Sequence, residues 1–212
     1  MPRSASSESS ESRDTAGDDV RNRILDTARS LFYTRGVRAV GIDLIIAEAR
    51  VAKASLYRHF RTKDELIAAY LAREDLDFWQ TWDRVAAKHA SDAQAELDAQ
   101  LEWIGRRVAR PGYRGCPQIN VAAEFADIEH PARLVATNHK TELRRRLEAL
   151  AARLGAPDPT LLGGQLAVLV NGAFVSSSIL TAAESSALIR SAGERLIASA
   201  VSPSPKARRS PK

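Results

Sequence analysis

Ile42-Asp43-Leu44-Ile45-Ile46-Ala47-Glu48-Ala49-Arg50-Val51-Ala52-Lys53-Ala54-Ser55-Leu56-Tyr57-Arg58-His59-Phe60 is the stretch whose pattern decides the fold. Ile42, Ile45, Ile46 and Ala49 recur at helical spacing and predict a short helix with one apolar face. Arg50-Val51-Ala52 interrupts it. Leu56 and Phe60, four residues apart, then give the apolar side of a second helix of roughly two turns. Two short helices across a three-residue connection have the form of a helix-turn-helix. The side opposite Leu56 and Phe60 presents Lys53, Ala54, Ser55, Tyr57, Arg58 and His59. From Arg50 to Lys63 there are five basic residues (Arg50, Lys53, Arg58, Arg61 and Lys63) and no acidic one. A helix lying in a DNA major groove needs these features: anchorage by one stripe, small residues near its start, and cations and hydroxyls for phosphates and base edges. Lys63 opens the following helix, where backbone amides and the macrodipole already favour an anion.

Outward from this stretch, nearly everything is helical in period. Ile24, Leu25, Ala28, Leu31 and Phe32 share one face of a first helix, which Gly36 is placed to end in a left-handed conformation. Thr62-Lys63-Asp64-Glu65 has the spacing of a capping box and opens a long fourth helix running toward Trp79. Further helices are expected at about 92–109, 117–126, 131–154, 159–181 and 184–200, with Pro131 in the first turn of its helix. Breaks are expected at Pro111-Gly112, Gly115, Gly155 to Pro159 and the Glu184-Ser185-Ser186 region. No stretch alternates with period two. The fold class is all-α, with about nine helices: a three-helix head followed by a helical body.

The chain has 212 residues, 31 basic and 26 acidic, a net charge of +5 and a single cysteine, Cys116. That length can bury a core without staples, and one cysteine excludes an internal disulfide framework or a four-cysteine zinc site. The composition fits a reducing, cytoplasmic setting. No apolar leader is seen at the N-terminus, and the most apolar run, Leu161 to Leu180, is broken by Gln165, Asn171 and three serines, so no membrane span is expected. Residues 1–17 are polar and expected to be a disordered arm, 18–62 the head, 63–202 the body, and 203–212 a loose basic tail.

In register and without gaps over roughly 45 residues, the chain resembles the TetR-type transcriptional regulators. The likeness is carried by Arg23-Ile24-Leu25-Asp26-Thr27-Ala28, Leu31-Phe32, Gly36, Ile42, Ile45, Ala49, Val51, Leu56-Tyr57-Arg58-His59-Phe60 and Thr62-Lys63-Asp64-Glu65-Leu66. It implies a DNA-binding head, a body that binds a small molecule, and a homodimer formed through the last two helices. It further implies phosphate contacts from Tyr57, His59 and Lys63, with base reading near Lys53, Ala54, Ser55 and Arg58. Two departures stand out. Val40-Gly41 replaces the hydroxyl pair that usually caps the second helix, and Arg50-Val51-Ala52 replaces Gly-Val-Ser in the turn. Arg50 thus occupies a position suited to glycine, and Ala52 provides no cap; each substitution costs about 1 kcal/mol. Arg50 is placed to replace some of the lost phosphate contacts.

In the body, Phe78, Trp82, Trp103, Cys116, Ile119, Phe125 and Phe174 are expected to line a site for an apolar or aromatic effector, with Asn120, His139 and Asn171 as its polar groups. Gly115 to Phe125, followed by His130-Pro131, looks like a stretch of one branch of TetR-type body domains. Gly163, Gly164, Ala167, Gly172, Ala173 and Ser176 would let another helix approach closely. Arg144-Arg145-Arg146 reads as a solvated face opposite Leu143, Leu147, Leu150 and Leu154. An architectural, sequence-indifferent DNA binder would suit the basic tail but has no use for so large a body. A cysteine enzyme built from Cys116, His130 or His139, and Asp127 or Glu129 has no spacing that fixes its geometry. His89, His130 and His139 lack metal-ligand spacing, and no cofactor is expected.

Overall fold

The structure, a computed structural model, describes residues 8–176 and 179–201. The described residues form nine α-helices and no strand: α1 (Glu8–Arg35), α2 (Ile42–Ala49), α3 (Lys53–His59), α4 (Lys63–Lys88), α5 (Ala93–Val108), α6 (Pro117–Glu124), α7 (Pro131–Arg153), α8 (Pro159–Val175) and α9 (Ala182–Val201). Among them, no helix is long and apolar enough to cross a membrane. They divide into two compact units, one within Met1–Glu74 and Pro117–Ala136, the other within Asp75–Cys116 and Thr137–Lys212.

The first unit is built on the apolar faces read from the sequence. Ile24, Leu25, Ala28, Leu31 and Phe32 of α1 close over Ile45 and Ala49 of α2 and Leu56 of α3, with Phe60 beside them. Gly36 ends α1 at a φ of 85°, and its amide donates to the Phe32 carbonyl at 2.9 Å. This unit takes more of the chain than 18–62. Leu66, Ile67, Tyr70 and Leu71 of α4, Val121 of α6 and Ala132 of α7 complete the same core. Periodicity predicts the helices that carry those residues, but which core they join is a long-range matter.

Several boundaries differ from expectation. α1 begins at Glu8 instead of after residue 17. Once a helix is nucleated, each added residue only propagates it. The first seven residues of the expected arm, Ser177, Ser178 and the basic tail lie outside the described residues. α8 stops at Val175 instead of about 181, where Ser176 Oγ donates back to the Gly172 carbonyl at 2.7 Å. α9 then starts earlier than expected, because Thr181 and Glu184 form a reciprocal capping box: the Glu184 amide donates to Thr181 Oγ1 at 3.3 Å and the Thr181 amide to Glu184 Oε2 at 2.8 Å.

In the second unit, α9 packs on α5 and α8. The small residues of α8 divide between two roles. A Cβ on Gly163 would lie 2.6 Å from the Glu148 backbone of α7, whereas Gly164 and Gly172 meet nothing within 4 Å. Arg146 is not part of a solvated face, for it pairs with Glu142 and Asp83 and its guanidinium lies 4.3 Å from the Trp79 ring centroid. Arg144 and Arg145 are exposed and pair with Glu148 and Glu142. Gly163→Ala should lower the thermal midpoint, since about 1–3 kcal/mol of overpacking exceeds the roughly 1 kcal/mol that alanine adds in helix propensity; circular-dichroism melts of the two proteins would show it.

Candidate nucleic-acid interface

α3 has seven residues and neither end is capped by a side chain. It is held by burial instead, with Leu56 and Phe60 at 0% and 1% exposure. The Ser55 and Leu56 amides donate to the Ala52 carbonyl at 2.9 and 3.2 Å, which closes the first turn. With its inner side anchored, α3 leaves Lys53, Ala54, Tyr57 and Arg58 exposed, and Ser55 and His59 half-buried at its flanks. Arg50 is exposed and left-handed, φ 53° and ψ 49°, the one described non-glycine residue with positive φ. Its amide donates to the Ala47 carbonyl at 3.2 Å, so it closes α2 as a glycine would. Gly41 and Ala52 precede α2 and α3 without side-chain caps, as their residue types require.

The start of α4 refines the expected cap. The Glu65 amide donates to Thr62 Oγ1 at 3.1 Å, but the Glu65 carboxylate accepts from the Arg61 amide at 2.8 Å, one residue before the position a capping box predicts. Lys63 is half-buried, and burial lowers its pKa against the opposing fields of Asp64 and Glu124. Lys53 is not a bare cation either: its Nζ lies 3.4 Å from Asp43 Oδ1, both side chains being exposed. Asp43 was not singled out from the sequence, because an acid in the first turn of a helix is adequately explained by the helix dipole.

The residues expected to meet an effector fall into separate groups. Phe78, Trp82, Trp103, His139 and Phe174 form one buried aromatic cluster in the second unit, with Phe78 at 4.9 Å from Trp103, 4.8 Å from His139 and 6.3 Å from Phe174, centroid to centroid. Cys116 lies in that unit too, 3.4 Å from Lys140 Nζ. Asn171 Nδ2 donates to the Ala167 carbonyl at 2.8 Å, and Asn171 shares an open groove of about 1020 Å³ with Lys140, Leu161 and Val168. Ile119, Asn120 and Phe125 belong to the first unit and are half-buried there; Phe125 is stacked on His130. The candidate enzyme groups are engaged elsewhere, His139 with Asp75 at 2.5 Å and His130 with Asp64 at 3.4 Å.

With this geometry in hand, residues 24–70 match the family model for bacterial regulatory proteins of the tetR family. An HTH-type transcriptional repressor of Mycobacterium tuberculosis, Rv3405c, is 30% identical over 149 residues, 66% of this chain and 73% of that protein. The crystal structure of SCO4454, a TetR-family regulator from Streptomyces coelicolor, superposes with a TM-score of 0.84 at 31% identity, over 87% of this chain and 97% of that one. The chain belongs to the TetR family. A TetR-type structure from Streptomyces avermitilis is also similar, with a TM-score of 0.72 at 31% identity over 85% of this chain and 97% of the other. These relatives are transcriptional regulators and not enzymes, so this TetR-family protein is a DNA-binding transcriptional regulator whose α2 and α3 are its helix-turn-helix.

Two expectations follow for this TetR-family regulator. Arg50→Gly should raise stability by up to about 1 kcal/mol, the left-handed strain relieved less the added freedom of the unfolded chain, while weakening DNA binding; melting and fluorescence-anisotropy titration would read the opposite signs. The second concerns His139, whose pKa burial depresses to about 4, against the hydrogen bond that it donates to Asp75 and helped by Lys140 and Arg107. The unfolded chain, with a histidine pKa of about 6.5, therefore takes up the proton first, so the stability present above about pH 6.5 is lost as the pH falls toward about 4. The melting temperature should drop more between pH 7 and 5 in the wild type than in His139→Gln.

Proposed function

We propose that this regulator is a ligand-responsive repressor that binds an inverted-repeat operator as a homodimer and is released by a small apolar or aromatic effector. The observation that carries the reading is the outer side of α3 and the chain on either side of it: five basic residues and no acid from Arg50 to Lys63, around a helix fixed by Leu56 and Phe60. Tyr57, His59 and Lys63 are assigned to phosphates, Lys53, Ala54, Ser55 and Arg58 to base edges, and Arg50 to the backbone near the turn.

Dimerisation through α8 and α9 is supported by an uncovered stripe. Leu161, Val168 and Val175 are exposed and seven residues apart, with Gln165 and Gly172 exposed between them; Val168 reaches 74%. Apolar residues on a seven-residue repeat are what a second helix packs against. Two heads related by a two-fold axis would read half-sites about 34–36 Å apart. An effector is supported by the aromatic cluster around Phe78, where buried His139 Nε2 has no hydrogen-bond partner among the described residues, and by the separate groove that holds Asn171, whose Oδ1 has none either. A ligand with a hydrogen-bond donor would satisfy either group. An effector that favours one separation of the heads changes DNA affinity without touching DNA. This function places the protein with the chromosome in the cytoplasm.

Selection of bound sites from random duplexes should return an inverted repeat. On that site Lys63→Ala and Tyr57→Phe should weaken binding to all sequences alike, and Lys63→Ala should also flatten the salt dependence by a slope of about 0.9. Ser55→Ala and Lys53→Ala should instead change which bases are preferred. Equal effects of all four variants across operator variants would sink this division of labour.

A further inference from the structure

The segment Gly115 to Phe125 carries a feature that DNA contact and effector binding leave unused. Glu124, the last residue of α6, spans two consecutive amides of the turn between α1 and α2. Its Oε1 accepts from the Val37 N–H at 3.1 Å and its Oε2 from the Arg38 N–H at 2.9 Å. Gly36, left-handed at φ 85°, precedes them, so successive N–H groups turn toward a common point and make an anion-binding nest. The carboxylate fills that nest closely: a Cβ built on Gly36 would lie 3.2 Å from Glu124 Oε1.

The adjoining residues strengthen the clasp. The Phe125 ring lies 5.7 Å from the Arg38 guanidinium and is stacked on His130, with centroids 3.8 Å apart at 15°. His130 Nδ1 accepts from the Ala132 amide at 3.2 Å, while its Nε2 faces Asp64 Oδ1 at the start of α4, 3.4 Å away. Arg133 donates to the Phe125 carbonyl at 3.0 Å and holds the chain between α6 and α7. Within this unit, Glu124 is therefore the acceptor joining residues 117–136 to the turn that leads into α2. Only three residues separate Arg38 from Ile42, and Asp43 of α2 pairs with Lys53 of α3.

The geometry points to Glu124 as a positioning residue that clasps the α1–α2 turn and through it sets how α2 and α3 are presented to DNA. It rests on the reading of those two helices as the DNA-contacting pair. A carboxylate on two amides makes charge-assisted hydrogen bonds, about twice as strong as neutral ones, so the clasp is stiff.

The test uses the full chain, the inverted repeat recovered by selection, the same repeat with base pairs inserted or removed between its halves, and a single half-site. In Glu124→Ala the Val37 and Arg38 amides should exchange hydrogen roughly tenfold or more faster, the loss expected for a charge-assisted bond, while the amides of α1 keep their protection. Discrimination between the natural and altered spacings should fall by about fivefold or more, with half-site affinity unchanged. Glu124→Gln, which keeps one acceptor oxygen, should fall between, and Gly36→Ala, which crowds the carboxylate out of its seat, should reproduce Glu124→Ala. Faster exchange with undiminished spacing discrimination would reduce Glu124 to a structural cap and overturn the proposal. So would an equal loss on every duplex, half-site included. A wild type that prefers no duplex would instead defeat the DNA reading itself.

Discussion

A helix of seven residues does not persist in water by its own hydrogen bonds, since nucleation is unfavourable and α3 lacks a cap at either end. Its existence depends on the burial of Leu56 and Phe60 beneath α1 and α2, each contributing roughly 1.5–3 kcal/mol. Everything the surface of α3 can do follows from that anchorage. Because two side chains hold the helix, the remaining ones are free to be cationic, hydroxylic or small without regard to packing. A helix held by its caps or its own propensity would have had to choose those residues differently.

The turn before α3 shows what this arrangement tolerates. Arg50 adopts a left-handed conformation that glycine would enter without strain, and Ala52 stands where a hydroxyl would cap. Together these sacrifice about 2 kcal/mol relative to the usual Gly and Ser, which the buried pair can offset. The gain is an exposed guanidinium in the turn before α3. Asp43 counters in part by holding Lys53, so the outer side of α3 is less positive than its sequence suggests. That pair is exposed, and salt or phosphate can displace it easily.

Local signals were legible and long-range ones were not. The Thr62 cap, the left-handed Gly36 and Arg50, and Pro131 in its first turn were all visible because each depends on neighbours within four residues. The Thr181–Glu184 box depends on equally local contacts, yet Glu184-Ser185-Ser186 has the composition of a break and hides it. Arg146 looked solvated, since nothing in its own helix reveals that Trp79 and Asp83 of α4 lie across from it. The small residues of α8 looked alike until Gly163 proved to face the α7 backbone while Gly164 and Gly172 stayed open. Of the residues expected to meet an effector, Phe78, Trp82, Trp103 and Phe174 fall in one unit, but Ile119, Asn120 and Phe125 fall in the other.

By itself the sequence determined that the chain is helical, where its recognition helix lies and which side of that helix is charged, because periodicity and capping act within a few residues of chain. Tertiary structure alone decided which distant groups meet. Glu124 finds the Val37 and Arg38 amides across 87 and 86 residues, and α4, α6 and α7 give parts of themselves to the head's core. Such pairings are chosen by the packing of whole helices, whose mutual placement no local pattern encodes.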